Sequence, residues 1–525
     1  MNTDITNKII PSNRILVFDT TLRDGEQVPG AKLELSQKVK IARQLKRLNV
    51  DIIEAGFASS SPGDFNAIKA VAKEVGDQVM ITALARAVKS DIDAVYNSVK
   101  YAERGMIHIV LGASDIHVSG KFNKSRDEII TMGVDAVKYA KTLMSEVQYS
   151  TEDASRADFE YLWKTIEAVI KAGATMINVP DTVGYAVPEE FGELIKKINY
   201  RMKNVNEKVI LSVHCHNDTG LAVANTLAAV KNGATKVECT MNGIGERAGN
   251  AALEEIVMGI KLREDYYHAY TGINTKEIKR TSELVSNLMG LEIQVNKAIT
   301  GENAFAHSSG IHQDGLLKSR NVYEVISPED VGVDDMKLIL TARSGKHAVK
   351  DAFEKLGYDN FKEEEFAKIF EKFLELADIK KEVYNYDLYY ILESLNDEIE
   401  FKHSNIGDSL YQLVDLQVIS NESFPSANVK IRRGQENINE SAGGNGAIDA
   451  LYTAIKSAVN MEVELLQYKT SSISKGRDAL GKVSVELNFN NKKYLGKAID
   501  SDIIKASANA FINAINNIIM EQINI

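Results

Sequence analysis

Short apolar runs alternate with amphipathic stretches from residue 14 to about residue 265. Each run has the length and the composition of a β-strand. The eight runs are RILVFDT, VDIIEAGF, VMITALAR, MIHIVLGA, EVQYS, TMINVPDT, VILSVHCH and KVECTMNG. The segments between them include LSQKVKIARQLKRLN and DFEYLWKTIEAVIKAG, whose apolar residues have helical spacing. The second of these ends at Gly173, a residue type that commonly terminates helices.

Eight strand–helix pairs in succession predict a (β/α)8 barrel, a TIM-barrel α/β fold of about 250 residues. A doubly wound open sheet is the alternative, although it rarely contains eight such regular units. Active sites of these barrels lie at the carboxyl ends of the strands, so polar side chains should cluster there. Chemically capable side chains do stand in or just after each run: Arg23, Glu54, Arg86, His108, Ser150, Asp181, His214 and Asn250.

The seventh run contains two histidines in the stretch LSVHCHNDTG. His214 and His216 are two residues apart, so a strand directs both imidazoles to the same face. Two imidazoles aimed at one point suit a divalent metal, whereas a pair of hydrogen-bonded core histidines is the alternative. Cys215 lies between them and is therefore predicted to point away from the barrel interior and to serve in packing.

Other strand ends offer further ligands to the same metal. Asp24 supplies a carboxylate from across the barrel, and Asn250 supplies an amide oxygen. A mixed nitrogen and oxygen set favours Mn, Zn or Mg over a metal that depends on thiolates. Arg23 lies beside Asp24, and a guanidinium grips a carboxylate with two parallel hydrogen bonds. A metal and an arginine together are suited to a 2-oxo acid.

The stretch GIGERAG after the eighth run has the spacing of the dinucleotide fingerprint G-x-G-x-x-A, at Gly243, Gly245 and Ala248. That fingerprint belongs after the first strand of a βαβ unit, whereas here it follows the last strand of the barrel. We therefore do not expect a nicotinamide site.

The remainder of the chain changes character twice. The barrel is predicted to occupy residues 1–274, and residues 275–402 read as helical linker subdomains that include the charged helix FKEEEFAKIFEKFLELADIKKEV. Residues 403–525 contain an internal duplication, in which each half has strands followed by one helix. This predicts an α+β domain of two βββα units. Because it contains no catalytic cluster, we expect a regulatory role.

Composition narrows the classes of function. The net charge of −11 argues against a nucleic-acid or anionic-membrane partner. The only two cysteines exclude a disulfide framework and fit a reducing compartment. The sequence has neither a signal peptide nor a run of about 20 apolar residues, so it predicts no membrane span and a cytoplasmic location.

Several motifs together resemble the α-isopropylmalate synthase family, a group of metal-dependent acyl-CoA condensing barrels. They are FDTTLRDGEQ, EAGFASSSPGDF, STEDASR, NVPDTVGY, VHCHND and MNGIGERAGN. GENAFAHSSGIHQDG, YEVISPEDVG and GGNGAIDA extend the resemblance over nearly the whole chain. Three residues depart from the usual pattern, namely Ala58, Tyr149 and Ala447, and the first two are expected to alter the lining of the substrate pocket.

The resemblance implies a role for each matching residue. Metal ligands are implied at Asp24, His214, His216 and Asn250. Substrate-binding residues are implied at Arg23, His108, Ser150 and Thr182. The implied catalytic residues are Arg23, Glu152, His312 and Tyr323, and the base remains open among the last three. A glycine turn at Gly444 and Gly446 is implied near an effector site for leucine.

The implied reaction is a Claisen-type condensation of acetyl-CoA with 2-oxoisovalerate, which gives 2-isopropylmalate and CoA. It is the first committed step of leucine biosynthesis and is inhibited by leucine. The implied cofactor is a divalent metal, Mn²⁺, Mg²⁺ or Zn²⁺, with K⁺ as a candidate activator. The implied assembly is a homodimer in which His312 and Tyr323 complete the active site of the other subunit.

Several alternatives remain open. A citramalate synthase would use pyruvate in place of 2-oxoisovalerate with the same catalytic motifs. Homocitrate synthase is less favoured, because no additional cation for a second carboxylate is evident, and a lyase or carboxyltransferase would not need the C-terminal domain. A non-catalytic metabolite sensor belongs to a different class, and the intact metal ligands and Glu152 argue against it.

Overall fold

A computed structural model of the chain forms two compact units. One comprises Met1–Ala306 and Glu324–Met336, and the other comprises His307–Tyr323 and Lys337–Ile525. The structure describes residues 13–307, 312, 315, 319, 322–333, 340–355, 358, 361–379, 383, 387–388, 391–392, 395, 409–421, 424–472, 481–490 and 492–523. Among the helices in these ranges, none combines the length and the apolar character that crossing a membrane requires.

The first unit is a closed barrel of eight parallel strands, as the alternating pattern predicts. The strands are β1 (Arg14–Asp19), β2 (Ile52–Glu54), β3 (Met80–Arg86), β4 (Gly105–Gly112), β5 (Val147–Glu152), β6 (Met176–Asp181), β7 (Ile210–Cys215) and β8 (Lys236–Cys239). They pair in chain order, and β1 pairs with both β2 and β8, which closes the sheet and excludes the open-sheet alternative. A short strand, β9 (Tyr270–Thr271), extends the edge of β1.

Helices connect the strands and cover the outside of the barrel. They are α1 (Leu35–Leu48), α2 (Pro62–Val75), α3 (Lys89–Val99), α4 (Arg126–Leu143), α5 (Phe159–Ala172), α6 (Pro188–Val205), α7 (Ala222–Lys231), α8 (Leu253–Leu262), α9 (Glu264–Tyr267) and α10 (Ile278–Met289). The sequence explains their ends, as α5 shows. The Asp158 side chain accepts a hydrogen bond from the Tyr161 backbone N–H (3.0 Å), and Gly173 ends the helix at φ 114°.

The barrel interior contains an apolar layer, and a polar layer lies nearer the carboxyl ends of the strands. The apolar layer is one cluster of side chains from successive strands: Leu16, Phe18, Ile52, Met80, Met106 and Met176. Two residues further along the same strands, strand alternation brings polar side chains such as Glu54, His108 and Asn178 to the same face. The apolar layer therefore closes the bottom of the barrel, and the polar layer above it is free for chemistry.

The second unit contains the duplicated region. Strands β10 (Tyr411–Ile419), β11 (Ser426–Arg433) and β12 (Glu436–Gly443) form an antiparallel sheet that precedes a helix, and β13 (Glu464–Ser472), β14 (Gly481–Phe489) and β15 (Lys492–Asp500) repeat the arrangement. Four helices of this unit are described: α11 (Lys346–Lys355), α12 (Glu363–Ile379), α13 (Ala447–Val459) and α14 (Ile503–Ile523). The predicted βββα duplication is therefore confirmed, and the predicted charged helix is α12.

One buried amide joins the two repeats. The Asn516 side chain, on α14 of the second repeat, accepts from the Tyr411 backbone N–H and donates to the Tyr411 carbonyl oxygen, both at 2.8 Å. Tyr411 begins β10 of the first repeat. The stack of Tyr452 on Phe511, with ring centroids 4.3 Å apart, is a second contact between the repeats. The two βββα units thus share one core.

We expect Asn516→Ala to lower the free energy of unfolding of the second unit by about 2–4 kcal/mol, because it leaves two buried backbone groups without partners. Urea unfolding of the full chain measures the change. Asn513→Ala is the matched control, since Asn513 lies on the same helix and makes a single hydrogen bond to the Lys497 carbonyl oxygen. Equal losses for the two variants would contradict the assignment of Asn516 as the joint between repeats.

Candidate active site

The barrel brings Asp24, His214 and His216 together at the carboxyl ends of its strands. His214 lies on β7, His216 follows it, and Asp24 follows β1. The Nε2 atoms of the two imidazoles are 3.2 Å apart, and Asp24 Oδ2 is 3.9 Å and 4.0 Å from them. All three side chains are buried. Three donor atoms converging in this way form a candidate site for a divalent metal.

Two buried polar atoms beside this cluster have no hydrogen-bond partner within the described part of the chain. They are Asn250 Oδ1 and His216 Nδ1. The amide nitrogen of Asn250 donates to Asp24 Oδ1 (2.7 Å) and to the Ile244 carbonyl oxygen (3.1 Å), so its oxygen is left unused. Buried polar atoms normally have partners. The residues present therefore fit a divalent cation held by nitrogen and oxygen.

The glycine-rich stretch after β8 packs against this cluster. At Gly245 the backbone has φ +151°, and a Cβ atom there would lie 2.0 Å from Asn250 Nδ2 and 2.9 Å from Asp24 Oδ1. Only glycine allows so close an approach of the chain. The glycine spacing that imitates a dinucleotide fingerprint therefore has a local cause, which is the contact between this loop and the candidate metal ligands.

Arg23 starts a chain of polar contacts across the barrel. Its guanidinium donates to Asp24 Oδ2 and to Glu54 Oε2, both at 2.5 Å. The other Glu54 oxygen is 2.6 Å from His108 Nδ1, and His108 Nε2 is 2.6 Å from Ser150 Oγ. Four residues that the sequence places at different strand ends are thus linked to the candidate metal ligand Asp24.

Burial and neighbouring charges set the ionisation of this group. Burial opposes ionisation of Glu54, but Arg23 and His108 outweigh it and lower the pKa of Glu54 to about 2. Burial likewise opposes ionisation of Asp24, yet Arg23 and the two imidazoles hold its pKa well below the usual range. Burial and then His214 lower the pKa of His216 to about 4. Near neutral pH both carboxylates are charged and His216 is neutral, which is the form that binds metals.

Glu152 ends β5 and is held by a cation. Both of its carboxylate oxygens lie close to Lys121 Nζ, at 2.7 Å and 3.0 Å, and His117 Nδ1 is 3.3 Å from Oε2. Lys121 and His117 belong to a π-helical turn, Ile116–Lys121, that follows β4. Such turns are frequent at functional sites. Thr182, the remaining barrel residue of the predicted site, accepts a hydrogen bond at its hydroxyl from the Asp153 backbone N–H (2.9 Å).

Four predicted residues lie in the second unit. The rings of His312 and Tyr323 stack on each other with centroids 4.2 Å apart. Gly444 follows β12, and a Cβ atom there would lie 2.4 Å from the Ala450 backbone nitrogen, so this position requires glycine. Gly446 precedes α13 at its N-cap and faces open space. The structure thus brings the members of each pair close to one another.

Two side chains on neighbouring strands point outward. Cys215 is fully buried and belongs to the apolar cluster that contains side chains of the outer helices, which confirms the predicted packing role. Tyr149 also points outward, because its hydroxyl lies against Gly133 of α4, where an added Cβ atom would be 2.6 Å away. The expectation that Tyr149 alters the pocket lining is therefore wrong. Strand alternation directs Gln148 and Ser150, not Tyr149, to the interior.

A layer of polar residues that the sequence patterns did not predict lies beneath the candidate metal ligands. Glu238 and Lys236 of β8 are fully buried inside the barrel with Gln148 of β5. Glu238 Oε2 is 3.2 Å from His214 Nδ1, and Lys236 Nζ is 3.4 Å from Glu238 Oε1. The available signal was the stretch KVEC, in which two charged residues stand two apart within a buried strand.

Comparison with known proteins places this barrel in a family. A family model described as HMGL-like matches residues 14–285. A 2-isopropylmalate synthase from Geobacillus sp. (strain Y412MC10) is 62% identical over 507 residues, covering 97% of this chain and 97% of that protein. The chain belongs to the 2-isopropylmalate synthase family. Another 2-isopropylmalate synthase, from Pyrococcus furiosus, is 48% identical over 508 residues and covers 97% of this chain and 99% of that protein.

Two further family models match the chain beyond the barrel. Residues 299–381 match a model described as homocitrate synthase post-HMGL domain-like, and residues 382–519 match one described as LeuA allosteric (dimerisation) domain. The second match confirms the predicted regulatory character of the duplicated region.

Among solved structures, a hydroxymethylglutaryl-CoA lyase from Pseudomonas aeruginosa has a TM-score of 0.47 at 18% identity, covering 54% of this chain and 95% of that one.

We expect His216→Ala to weaken binding of Mn²⁺ by more than the roughly 10–100-fold that loss of an outer hydrogen-bond partner costs, because it removes a proposed ligand. Calorimetric titration of chelator-treated protein with Mn²⁺ measures this. Cys215→Ala is the matched control, since Cys215 is the adjacent residue and points away from the cluster. Wild-type Mn²⁺ affinity in His216→Ala would contradict the proposed metal site.

Proposed function

We propose that this chain is a 2-isopropylmalate synthase that condenses acetyl-CoA with 2-oxoisovalerate to give 2-isopropylmalate and CoA. The observation that carries the proposal is the Arg23 guanidinium 2.5 Å from Asp24 within a cluster of two imidazoles and an unused amide oxygen. The name of relatives that match over nearly the whole chain supports the choice of substrate.

The charges inside the barrel favour a substrate with one carboxylate. Three buried carboxylates, Asp24, Glu54 and Glu238, face two cations, the buried Lys236 and the partly buried Arg23, so this group has a net charge of −1. A divalent ion changes the sum to +1. A 2-oxo acid with one carboxylate then brings the enclosed charge to zero, whereas a dicarboxylic acid leaves an uncompensated buried charge, which is costly.

The reaction needs a proton to be removed, a bond to be formed and a thioester to be cleaved. A base takes a proton from the methyl group of acetyl-CoA, the resulting carbanion attacks the ketone carbon, and water then breaks the C–S bond. A divalent metal, when bound, polarises the ketone of the keto acid. Arg23, held by Asp24 and Glu54, offers positive charge to the oxygen that becomes negative.

The other residues of the proposed site bind or move protons. His108 and Ser150 form a hydrogen-bonded pair that is suited to orient the keto acid, and Thr182 is proposed to bind it as well. Glu152 is a base or a residue that tunes the base, and His312 and Tyr323 are the other candidates. Lys121 Nζ donates to both Glu152 oxygens, at 3.0 Å and 2.7 Å, and so holds the side chain in place.

The proposal extends to cofactors, assembly and regulation. The metal is Mn²⁺, Mg²⁺ or Zn²⁺, and K⁺ is a candidate activator. The enzyme acts as a cytoplasmic homodimer in which residues 1–274 are catalytic, 275–402 link the domains, and 403–525 bind leucine near Gly444 and Gly446. The match to an allosteric (dimerisation) domain supports the proposed homodimer and the proposed regulatory role of the C-terminal domain. Leucine can lower activity only by binding more tightly to a less active arrangement.

Release of the CoA thiol tests the function. With acetyl-CoA and Mn²⁺, we expect a higher kcat/KM for 2-oxoisovalerate than for pyruvate or 2-oxobutyrate, and inhibition by leucine but not by isoleucine. A preference for pyruvate together with inhibition by isoleucine would instead identify a citramalate synthase. No thiol release with any 2-oxo acid would leave the non-catalytic sensor as the better hypothesis.

We expect Glu152→Gln to bind 2-oxoisovalerate with nearly normal affinity but to lose about 10²–10⁴-fold in kcat, the range that proton-transfer catalysis contributes. Quenched-flow thiol assays give kcat, and deuterium exchange into the methyl group of acetyl-CoA reports the proton step separately. Arg86→Gln is a control, because Arg86 also lies at a strand end and is exposed and paired with Asp91. Wild-type rates of both condensation and exchange in Glu152→Gln would remove this residue from the mechanism.

A further inference from the structure

Glu238 is the centre of a closed hydrogen-bond network beneath the candidate metal ligands. Its Oε1 atom accepts from Gln148 Nε2 (2.8 Å) and Ser212 Oγ (3.2 Å), and its Oε2 atom accepts from Asn178 Nδ2 (3.3 Å). Lys236 Nζ lies 3.4 Å from Oε1. All of these side chains are buried. The same Oε2 atom is 3.2 Å from His214 Nδ1.

This arrangement determines which nitrogen of His214 has the proton. A carboxylate only accepts hydrogen bonds, and the neighbours of Glu238 are all donors, so His214 Nδ1 must carry its hydrogen toward Oε2. In the neutral imidazole the other ring nitrogen, Nε2, then has a free lone pair, and it is the atom that faces His216 and Asp24. The proton position on His216 is not fixed in this way, because its Nδ1 has no hydrogen-bond partner within the described residues.

We propose that Glu238 is a positioning residue that fixes the tautomer and the orientation of His214 for metal binding, and that Lys236 fixes the polarity of the whole network. The inference deepens the proposed function, since it rests on the proposed metal site, but it does not depend on which keto acid is the substrate. Partners of this kind are what orient metal-binding histidines and raise their affinity.

Lys236 exerts its effect through Gln148. The Lys236 ammonium donates to Gln148 Oε1, which forces the amide nitrogen of Gln148 toward Glu238 Oε1. Any side chain at position 238 must therefore present an acceptor on that side. A glutamine there satisfies this demand with its oxygen, and its NH₂ group is then left facing His214 Nδ1. The imidazole must respond by moving its proton to Nε2, where it blocks the metal.

The network therefore predicts an unusual rescue. Glu238→Gln should weaken Mn²⁺ binding by at least about tenfold, as expected for loss of an outer partner that orients a ligand. Adding Lys236→Met removes the ammonium that holds Gln148, so the Gln148 amide can rotate and present its oxygen instead. The introduced amide at position 238 then turns its own oxygen to His214 Nδ1, and most of the lost affinity should return.

Titration of chelator-treated full-length protein with Mn²⁺, followed by the electron paramagnetic resonance of free Mn²⁺, measures these affinities without any substrate. Ser212→Ala is the matched control, because it removes a donor from the same carboxylate on the side away from His214, and it should bind Mn²⁺ like the wild type. Circular dichroism and thermal unfolding check that each variant is folded. A merely structural role of Glu238 would not produce rescue by a second buried substitution.

Two results would overturn the proposal. One is wild-type Mn²⁺ affinity in folded Glu238→Gln, and the other is a double variant that binds Mn²⁺ as weakly as the single one. If Glu238→Gln does not fold, the double variant is compared with Lys236→Met alone, and a large difference in Mn²⁺ affinity between those two contradicts the inference. Because thiol release plays no part in these titrations, an error in the proposed substrate would not imitate any of these outcomes.

Discussion

Closing eight parallel strands into a barrel directs every second side chain toward one axis, and the chemistry of this protein depends on that constraint. The inward-pointing side chains come from distant parts of the sequence, and inside the barrel they contact mainly one another. At the bottom of the barrel the constraint is met by apolar packing of residues such as Phe18 and Met106. Above that layer the side chains are polar, and each must be hydrogen-bonded, ion-paired or kept for a ligand.

Charge compensation is how the barrel meets this demand. Arg23 bridges Asp24 and Glu54, His108 lies beside Glu54, and Lys236 accompanies Glu238, so each of these three carboxylates has a cation or an imidazole beside it. Among the described residues, Asn250 Oδ1 and His216 Nδ1 beside the candidate metal ligands, and Asn178 Oδ1 near Glu238, are buried without hydrogen-bond partners. A buried ionic network of this kind adds little to stability. Its value lies in holding donor atoms rigidly for a metal and for an anionic substrate.

Local sequence patterns predicted the strands, the helices and the duplicated C-terminal repeats, because strand alternation and helical spacing are local properties. His214 and His216 were predictable for the same reason, and the barrel rule then brought Asp24 and Asn250 to the same end of the strands. The hydrogen bond between Asn250 and Asp24 spans 226 residues. A single sequence does not reveal such a contact without a fold, although the family resemblance supplied one.

The missed and mistaken residues have a common origin. Lys236 and Glu238 are only two charged residues within one short buried strand. Their hydrogen bonds are made with Gln148, which is about 90 residues away in the chain and has no recognisable sequence motif around it. The departure from the family pattern at Tyr149 predicts a change in the lining of the substrate pocket. Alternation along β5 instead turns Tyr149 toward Gly133.

The most direct test of this account is an anomalous diffraction map, recorded at the zinc edge, of crystals that contain Zn²⁺ and 2-oxoisovalerate. The account predicts one strong peak about 2.0–2.2 Å from Nε2 of His214, Nε2 of His216 and a carboxylate oxygen of Asp24. Asn250 Oδ1 should be a further ligand, and the ketone oxygen of the keto acid should bind on the side of Arg23. A peak on Nδ1 of either histidine, or a keto acid bound away from the metal and Arg23, would contradict the account.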